Sequence, residues 1–351
     1  MNSRRVRRLL RKRLRRLLAR LALPAWRLRH YAQKVVPNTG LNPAVQPGHS
    51  RPSDARRLAV AITHWRDSRT DEARTETFLD VVASAFTVDA ASCNVIVHTN
   101  DPDQTLEQLK AGLPGTMRIE VVSQSEVDAP DKLQKVDVCV IQWRPSAFHR
   151  HGHFLTWAHK ASFRRLAQSR RFSHLIYLED DEKLENKHID YWDRHRPELA
   201  ELGLIPGYIR YEVRDGERFV VDQVRRQDPH CLPSAHTTSG RWMQLESPYQ
   251  GWHILDRQLQ LDFLAGSFSK SPVMSALLSG SHHQERAAAG PIFDAVPAGF
   301  QARNVVRVEI DNQTLLPDEA CLIRHASDTY SALPGYAYGS IRVEELFADP
   351  K

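Results

Sequence analysis

The sequence offers no run of about 20 apolar residues, so no transmembrane helix is expected. It also lacks an uninterrupted apolar h-region: Arg15, Arg16 and Arg20 break every candidate near the N-terminus, which argues against a secretory signal. Only four cysteines occur, Cys93, Cys139, Cys231 and Cys321, and no two form a CxxC pair. A cysteine-built zinc site is disfavoured, and reduced thiols in a reducing compartment are expected. The glycine signatures GxGxxG and GxxxxGK[ST] are missing, which counts against a dinucleotide-dependent oxidoreductase and a P-loop enzyme.

Acids are missing from one region. Residues 1–34 hold 13 Lys or Arg and no Asp or Glu, while the whole chain has 48 basic and 42 acidic residues. The remainder carries 35 basic against 42 acidic residues, a net of −7. The pI of about 9.2 therefore describes the first segment and not the body. A nucleic-acid-binding face on the body loses its support, and nucleic acid is not an expected partner.

Within that segment Val6, Leu9, Leu10, Leu14, Leu17 and Leu21 recur at helical spacing, with arginines on most of the remaining circumference and Pro24 ending the pattern. Residues 1–36 are expected to form a basic amphipathic helix on an anionic membrane surface, where each basic side chain contributes about 1 kcal/mol. An RNA-binding arginine helix, an organellar transit peptide and a helix docking on an acidic partner are the competing readings. Residues 37–56, with Pro37, Gly40, Pro43, Pro47, Gly48 and Pro52, read as a linker. The expected location is peripheral, at the cytoplasmic face of the cell membrane.

From residue 57 strands alternate with helices, the rhythm of βαβ units on a largely parallel sheet. Strands are expected at Leu58–Thr63, Asn94–His98, Met117–Val122, Val136–Gln142 and His174–Leu178. Helices are expected at Thr75–Phe86, near Gln104–Ala111 and at Phe154–Gln168. From about Tyr191 the pattern loosens. The fold class is α/β, with residues 57–351 as the catalytic domain, divided into a first half, 57–182, and a second, 183–351.

The fifth strand runs directly into Glu179-Asp180-Asp181-Glu182. Ligands of open α/β sheets bind beyond the carboxyl ends of the strands. Acids crowded there repel unless a cation neutralises them. Alternation sends Glu179 and Asp181 to one side and Asp180 to the other. A hard divalent ion shared between such carboxylates and substrate phosphates is the usual arrangement for Mg²⁺ or Mn²⁺. A solvated acidic turn is the plainer alternative.

Six blocks in order carry a resemblance: FLTWAHK, HLIYLEDDEKLENKHIDYW, IPGYIRYE, SPYQGWHILDRQL, HHQERAAAG and LIRHASDTY. Together they resemble GT-A glycosyltransferases over roughly residues 57–347. The resemblance implies a nucleotide-sugar donor in the first half and a glycan or lipid-linked acceptor in the second. Glu179, Asp180 and Asp181 match the DxD motif, with Glu in the leading place. His325 matches the position of a histidine that ligates the same metal, manganese being better suited than magnesium. Glu285 matches the carboxylate that deprotonates the acceptor in inverting enzymes; otherwise it is an acid at a helix start.

Other residues complete the expected site. Thr63, His64 and Arg66 end the first strand, where the donor nucleotide is expected, and Arg66, Arg74 or Lys160 could meet its phosphates. His159 shares that possibility with Lys160, whereas Phe154 and Trp157 read as core. Arg210 and Glu212 alternate with Tyr208 on one side of an extended run, as acceptor contacts or as an ion pair. Tyr249, Gln250, Gly251 and Trp252 form an aromatic loop suited to a sugar face, or else Trp252 belongs to the core. His282 and His283 do not converge on one point and read as loop polarity. The expected activity is metal-assisted sugar transfer in polysaccharide biosynthesis. A nucleotidyltransferase using the same acids, or a non-catalytic membrane- or RNA-associated protein, are the alternatives.

Overall fold

The computed structural model describes residues 56–66, 72–127, 132–144, 152–266, 283–311, 314–333 and 335–348. The expected basic helix over 1–36, the linker before Arg56, and His282 lie outside the described residues. Among the described residues no helix is long and apolar enough to cross a membrane.

The first half alternates β1 (Arg57–His64), α1 (Glu72–Ala85), β2 (Ser92–Thr99), α2 (Pro102–Gly112), β3 (Ile119–Val122), the single-turn α3 (Lys132–Lys135), β4 (Val138–Gln142), α4 (His159–Ser169) and β5 (His174–Glu179). Then follow α5 (Asn186–Glu201), β6 (Ile205–Pro206), β7 (Ile209–Arg214), β8 (Glu217–Val220), β9 (Ser234–Thr237), β10 (Gly240–Met243), β11 (His253–Leu255) and α6 (Arg257–Ala265). The last elements are α7 (His283–Ala288), β12 (Asn304–Asp311), β13 (Thr314–Pro317), β14 (Leu322–Arg324), α8 (Thr329–Ala332) and β15 (Ile341–Arg342). The fold is mixed α/β with a mostly parallel central sheet and flanking helices.

That sheet has the order β11-β5-β1-β2-β4-β3, and only β11 runs antiparallel, against β5. Its strands are near-continuous apolar runs because both faces are covered: Leu58 to Ile62 and Leu175 to Leu178 are all fully buried. The two faces are told apart at the end of β1. His64 stacks on Phe78 of α1, whereas Thr63 donates to or accepts from Tyr177, whose ring packs on His159 of α4. Helices therefore lie on both faces. The helix expected over 154–168 is split, a 3₁₀ turn at Gly152–Trp157 preceding α4.

β1 has β2 on one side and β5 on the other, so the crevice at their carboxyl ends is the topological switch point of the sheet. Two smaller sheets, β13-β12-β10-β9 with β6 beside β12, and β14-β7-β8-β15, form the second half. All four cysteines are free thiols, Cys139 and Cys321 buried and Cys231 exposed.

Candidate functional site

Strand alternation distributes the acids at the switch point as expected, even though Asp180 and Asp181 already form a turn. Asp180 lies on the α1 face, its Oδ2 2.7 Å from His64 Nδ1 and 3.8 Å from Arg74 Nη2. Glu179 and Asp181 lie on the other, facing β7 and the segment after β14.

β14 pairs in parallel with β7, Arg324 opposite Tyr211, so the next residues along, His325 and Glu212, meet. His325 Nδ1 is 2.8 Å from Glu212 Oε1, and its Nε2 is 3.1 Å from Asp181 Oδ2. Glu212 is fully buried and also accepts from the Tyr330 and Ser331 backbone amides at 3.2 and 2.5 Å. Burial disfavours charge on the His325 ring, but Asp181 and Glu212 outweigh it and push the ring up to about 10. For Asp181 burial likewise opposes ionisation, and His325 overcomes it, holding the carboxyl well below its ordinary range.

Beside this pair, buried Arg210 serves three acids at once. It donates to Asp222 in a bidentate pair at 2.8 and 2.6 Å, to Glu182 at 3.0 Å and to Glu179 at 3.3 Å. Tyr249 donates its hydroxyl to Glu179 at 3.1 Å, and Arg210 lies over its ring. One guanidinium cannot neutralise three buried carboxylates, and two of them hold their protons more tightly in consequence. Burial raises Glu179 to about 7, Arg210 opposing and Asp181 adding to the rise. Burial also raises Glu182 well above its ordinary value, Arg210 opposing, and its Oε2 is buried without a hydrogen-bond partner among the described residues.

Among the described residues no three His, Cys, Asp or Glu side chains converge on one point. Of the expected triad Glu179, Asp181 and His325, the last two come together while Glu179 is held by Arg210 and Tyr249. A carboxylate and an imidazole are nonetheless an acceptable pair for Mn²⁺, with substrate oxygens completing the sphere. The carboxylate on the far ring nitrogen is the usual orienting partner of a metal-bound histidine. The His325 ring carries a proton between Asp181 and Glu212, and a metal ion would have to take that proton's place.

Thr63 is buried on Tyr177, away from solvent. Arg66 is clamped through its backbone to Asn100, while its Nε and Nη1 are buried without a hydrogen-bond partner among the described residues. Lys160 is buried, its ammonium 3.7 Å from the Trp157 ring centroid. His159 is also buried, and desolvation, with His253 and Lys160 adding, keeps its ring neutral. Gln250 is buried and braces backbone, accepting from the Tyr208 amide and donating to the Trp252 carbonyl.

Trp252 is core: it is fully buried, 4.2 Å from the Tyr208 ring, so its face has no access to a sugar. Gly251, at φ +69°, passes over Glu182 where no side chain fits. Glu285 sits in α7, which packs against β5 and the Gly152–Trp157 turn.

Sequence reasoning did not single out Asp222, Ser327, whose hydroxyl lies 3.1 Å from His325 Nδ1, or the Tyr330–Ser331 backbone. Asp222 lies just past β8 and reaches Arg210 only through the β7–β8 hairpin. A cavity of about 520 Å³ at the amino ends of β1 and β2, lined in part by Arg57, Cys93, Asn94 and Asp137, is at the opposite edge of the sheet. It has none of the acids just described.

No family model matches the chain, and no curated protein matches it. Solved structures do overlap it. TarS from S. aureus (residues 1–349) aligns at 12% identity and TM-score 0.35, covering 78% of this chain and 62% of TarS. The apo glycosyltransferase GlyE of Streptococcus pneumoniae TIGR4 aligns at 10% and 0.30, covering 71% and 44%. A CMP:2-keto-3-deoxy-manno-octonic acid synthetase complexed with CTP aligns at 11% and 0.30, covering 59% and 77%. This chain thus spans less than two thirds of TarS and GlyE. Overlaps this loose assign no activity, and the functional reading rests on the site itself.

Proposed function

We propose that the chain is a GT-A type glycosyltransferase, taking a sugar from a nucleoside-diphosphate donor and passing it to a glycan or lipid-linked acceptor. The support is the Asp181–His325 pair at the switch point, oriented from behind by Glu212. Nothing in folding alone favours gathering so many carboxylates around one arginine, since uncompensated buried charge is costly.

Asp181 and His325 would hold Mn²⁺ or Mg²⁺, with Glu179 nearby. When bound, the ion neutralises charge developing on the departing diphosphate. Arg66, just past β1, has Nε and Nη1 without a hydrogen-bond partner among the described residues and suits a donor phosphate. His64 fixes Asp180 against the α1 face, so that this carboxylate positions the donor.

Glu285 would take the proton from the acceptor hydroxyl. The freed oxygen forms its bond to the sugar's C1 as the bond from C1 to the diphosphate oxygen breaks, and the electron pair leaves with the nucleoside diphosphate, inverting C1. The basic segment over residues 1–36 would keep the enzyme at an anionic membrane surface, beside lipid-linked acceptors.

Thermal melting of the full chain with nucleoside diphosphates and nucleotide sugars, with and without Mn²⁺, tests this. A ligand specific to the folded state must raise the transition, by about 2.7 kcal/mol at a hundred times its Kd. The expected result is a rise that needs both metal and diphosphate. Absence of any metal-dependent rise would remove the transferase reading. Release of pyrophosphate in place of nucleoside diphosphate during turnover would make the protein a nucleotidyltransferase.

A further inference from the structure

Three tyrosines stand together on the far side of His325. The Tyr330 ring, on α8, is 5.5 Å from the His325 ring. Tyr336 stacks beside Tyr330 at 6.0 Å and 17°, and Tyr338 lies 5.5 Å from Tyr336 and 6.4 Å from Tyr330. Tyr336 and Tyr338 remain 44% and 40% exposed. Large aromatic rings left clustered in water forgo burial energy, and such a patch marks a binding surface more often than an accident of packing.

The patch is built and held. Gly339, at φ +69°, lets the returning loop touch α8 so closely that a Cβ there would stand 2.6 Å from the Ser331 amide nitrogen. Its own amide donates to the Val220 carbonyl at 3.2 Å. Ser331, in turn, donates to Glu212, the residue behind His325. The shelf and the Asp181–His325 pair therefore share one support, and a ligand gains from a surface ordered beforehand.

The chemistry of the shelf selects its occupant. Flat ring faces receive the C–H faces of a pyranose, and the phenol oxygens at their rims can exchange hydrogen bonds with its hydroxyls. Asp181 and Glu212 stand behind the shelf through His325, and Arg214 is spent on the Ser331 carbonyl beside it. The donor nucleotide has its expected place at the ends of β1 and β5. We propose that Tyr330, Tyr336 and Tyr338 form the acceptor subsite, stacking a neutral carbohydrate whose reactive end reaches the Asp181–His325 pair. This rests on the glycosyltransferase reading for its role, and on the exposed rings for its existence.

Saturation-transfer NMR on the full chain, without nucleotide or metal, tests the shelf with maltohexaose, cellohexaose and chitohexaose as probes. At least one should receive magnetisation on its ring protons. In Y336A/Y338A the affinity for that sugar should fall about tenfold or more, while Y336F/Y338F, which keeps the rings, should retain most of it. Both positions are exposed, so the fold should survive, and an unchanged melting temperature checks that it does. No transfer to any probe, or equal transfer in the alanine variant, would overturn the proposal. If nucleotides with Mn²⁺ still raise the melt in that event, the transferase reading stands without the shelf. If a sugar binds and no nucleotide does, the shelf stands without the transferase reading.

Discussion

Gly251 lies against the buried carboxylate of Glu182 so closely that a Cβ on the glycine would fall inside that carboxylate and 2.7 Å from Arg210 Nη1. The backbone also has φ +69° there, a conformation that costs other residues about 1–3 kcal/mol. The loop into β11 thus seals the floor of the site with bare backbone. Gly251→Ala should destabilise the protein by about 3 kcal/mol or more, read as a lower midpoint in urea. An unchanged midpoint would mean that Glu182 and Arg210 can move aside.

Arg210 should be the electrostatic keystone of the second half. Arg210→Met leaves Glu179, Glu182 and Asp222 without their shared cation, and removing one partner of a buried pair costs about 3–5 kcal/mol. Arg210→Lys should fall between the two, because an ammonium cannot reproduce the bidentate hold on Asp222. Denaturation curves of the three proteins check the order.

Glu212 touches neither substrate nor, by the reading above, the ion. Glu212→Gln should weaken Mn²⁺ binding about 10–100-fold by loosening His325, measured by calorimetric titration. His325→Ala should weaken it at least as much. A Glu212→Gln variant that binds Mn²⁺ as tightly as the parent would show that the His325–Glu212 contact is merely structural.

Acid should draw stability out of three buried histidines that lie outside the acid cluster. Burial lowers His98 and His253 to about 3, and His188 to about 4. An unfolded ring takes up its proton near pH 6.5, so between these values the unfolded state binds more protons. The contribution of these rings is full above about pH 6.5 and declines as pH falls, by up to about 1.4 kcal/mol per pH unit for each ring. Glu179, Glu182 and His325, raised in the fold, titrate in the opposite sense, so the sign is checked by comparing the parent with His98→Gln at pH 7.5 and 5.5. The variant should lose less of its denaturation midpoint on acidification, and an equal loss would contradict the assignment.

How much of this could be read from the chain depended on the range of the interaction. The five parallel strands were legible because each is a local apolar run, and the alternation of Glu179, Asp180 and Asp181 follows from strand geometry. Glu182 reads as one more acid in a string; its burial is decided by Arg210 and Gly251, both remote in sequence. The same holds for Trp252, whose loop looks suited to a sugar but is pulled inward by Tyr208 and His188. The shelf tyrosines are near neighbours in sequence, yet it is the close turn at Gly339 that holds the loop of Tyr336 and Tyr338 against Tyr330 and α8.

β5 carries the acids, and its outer edge is closed by β11, a strand made much later in synthesis. Until His253–Leu255 leave the ribosome, β5 offers a bare row of amides and carbonyls to any passing chain. The two halves are therefore not independent folding units. A fragment ending soon after Glu182 would be sticky, and the growing polypeptide passes through that same vulnerable stage each time it is translated.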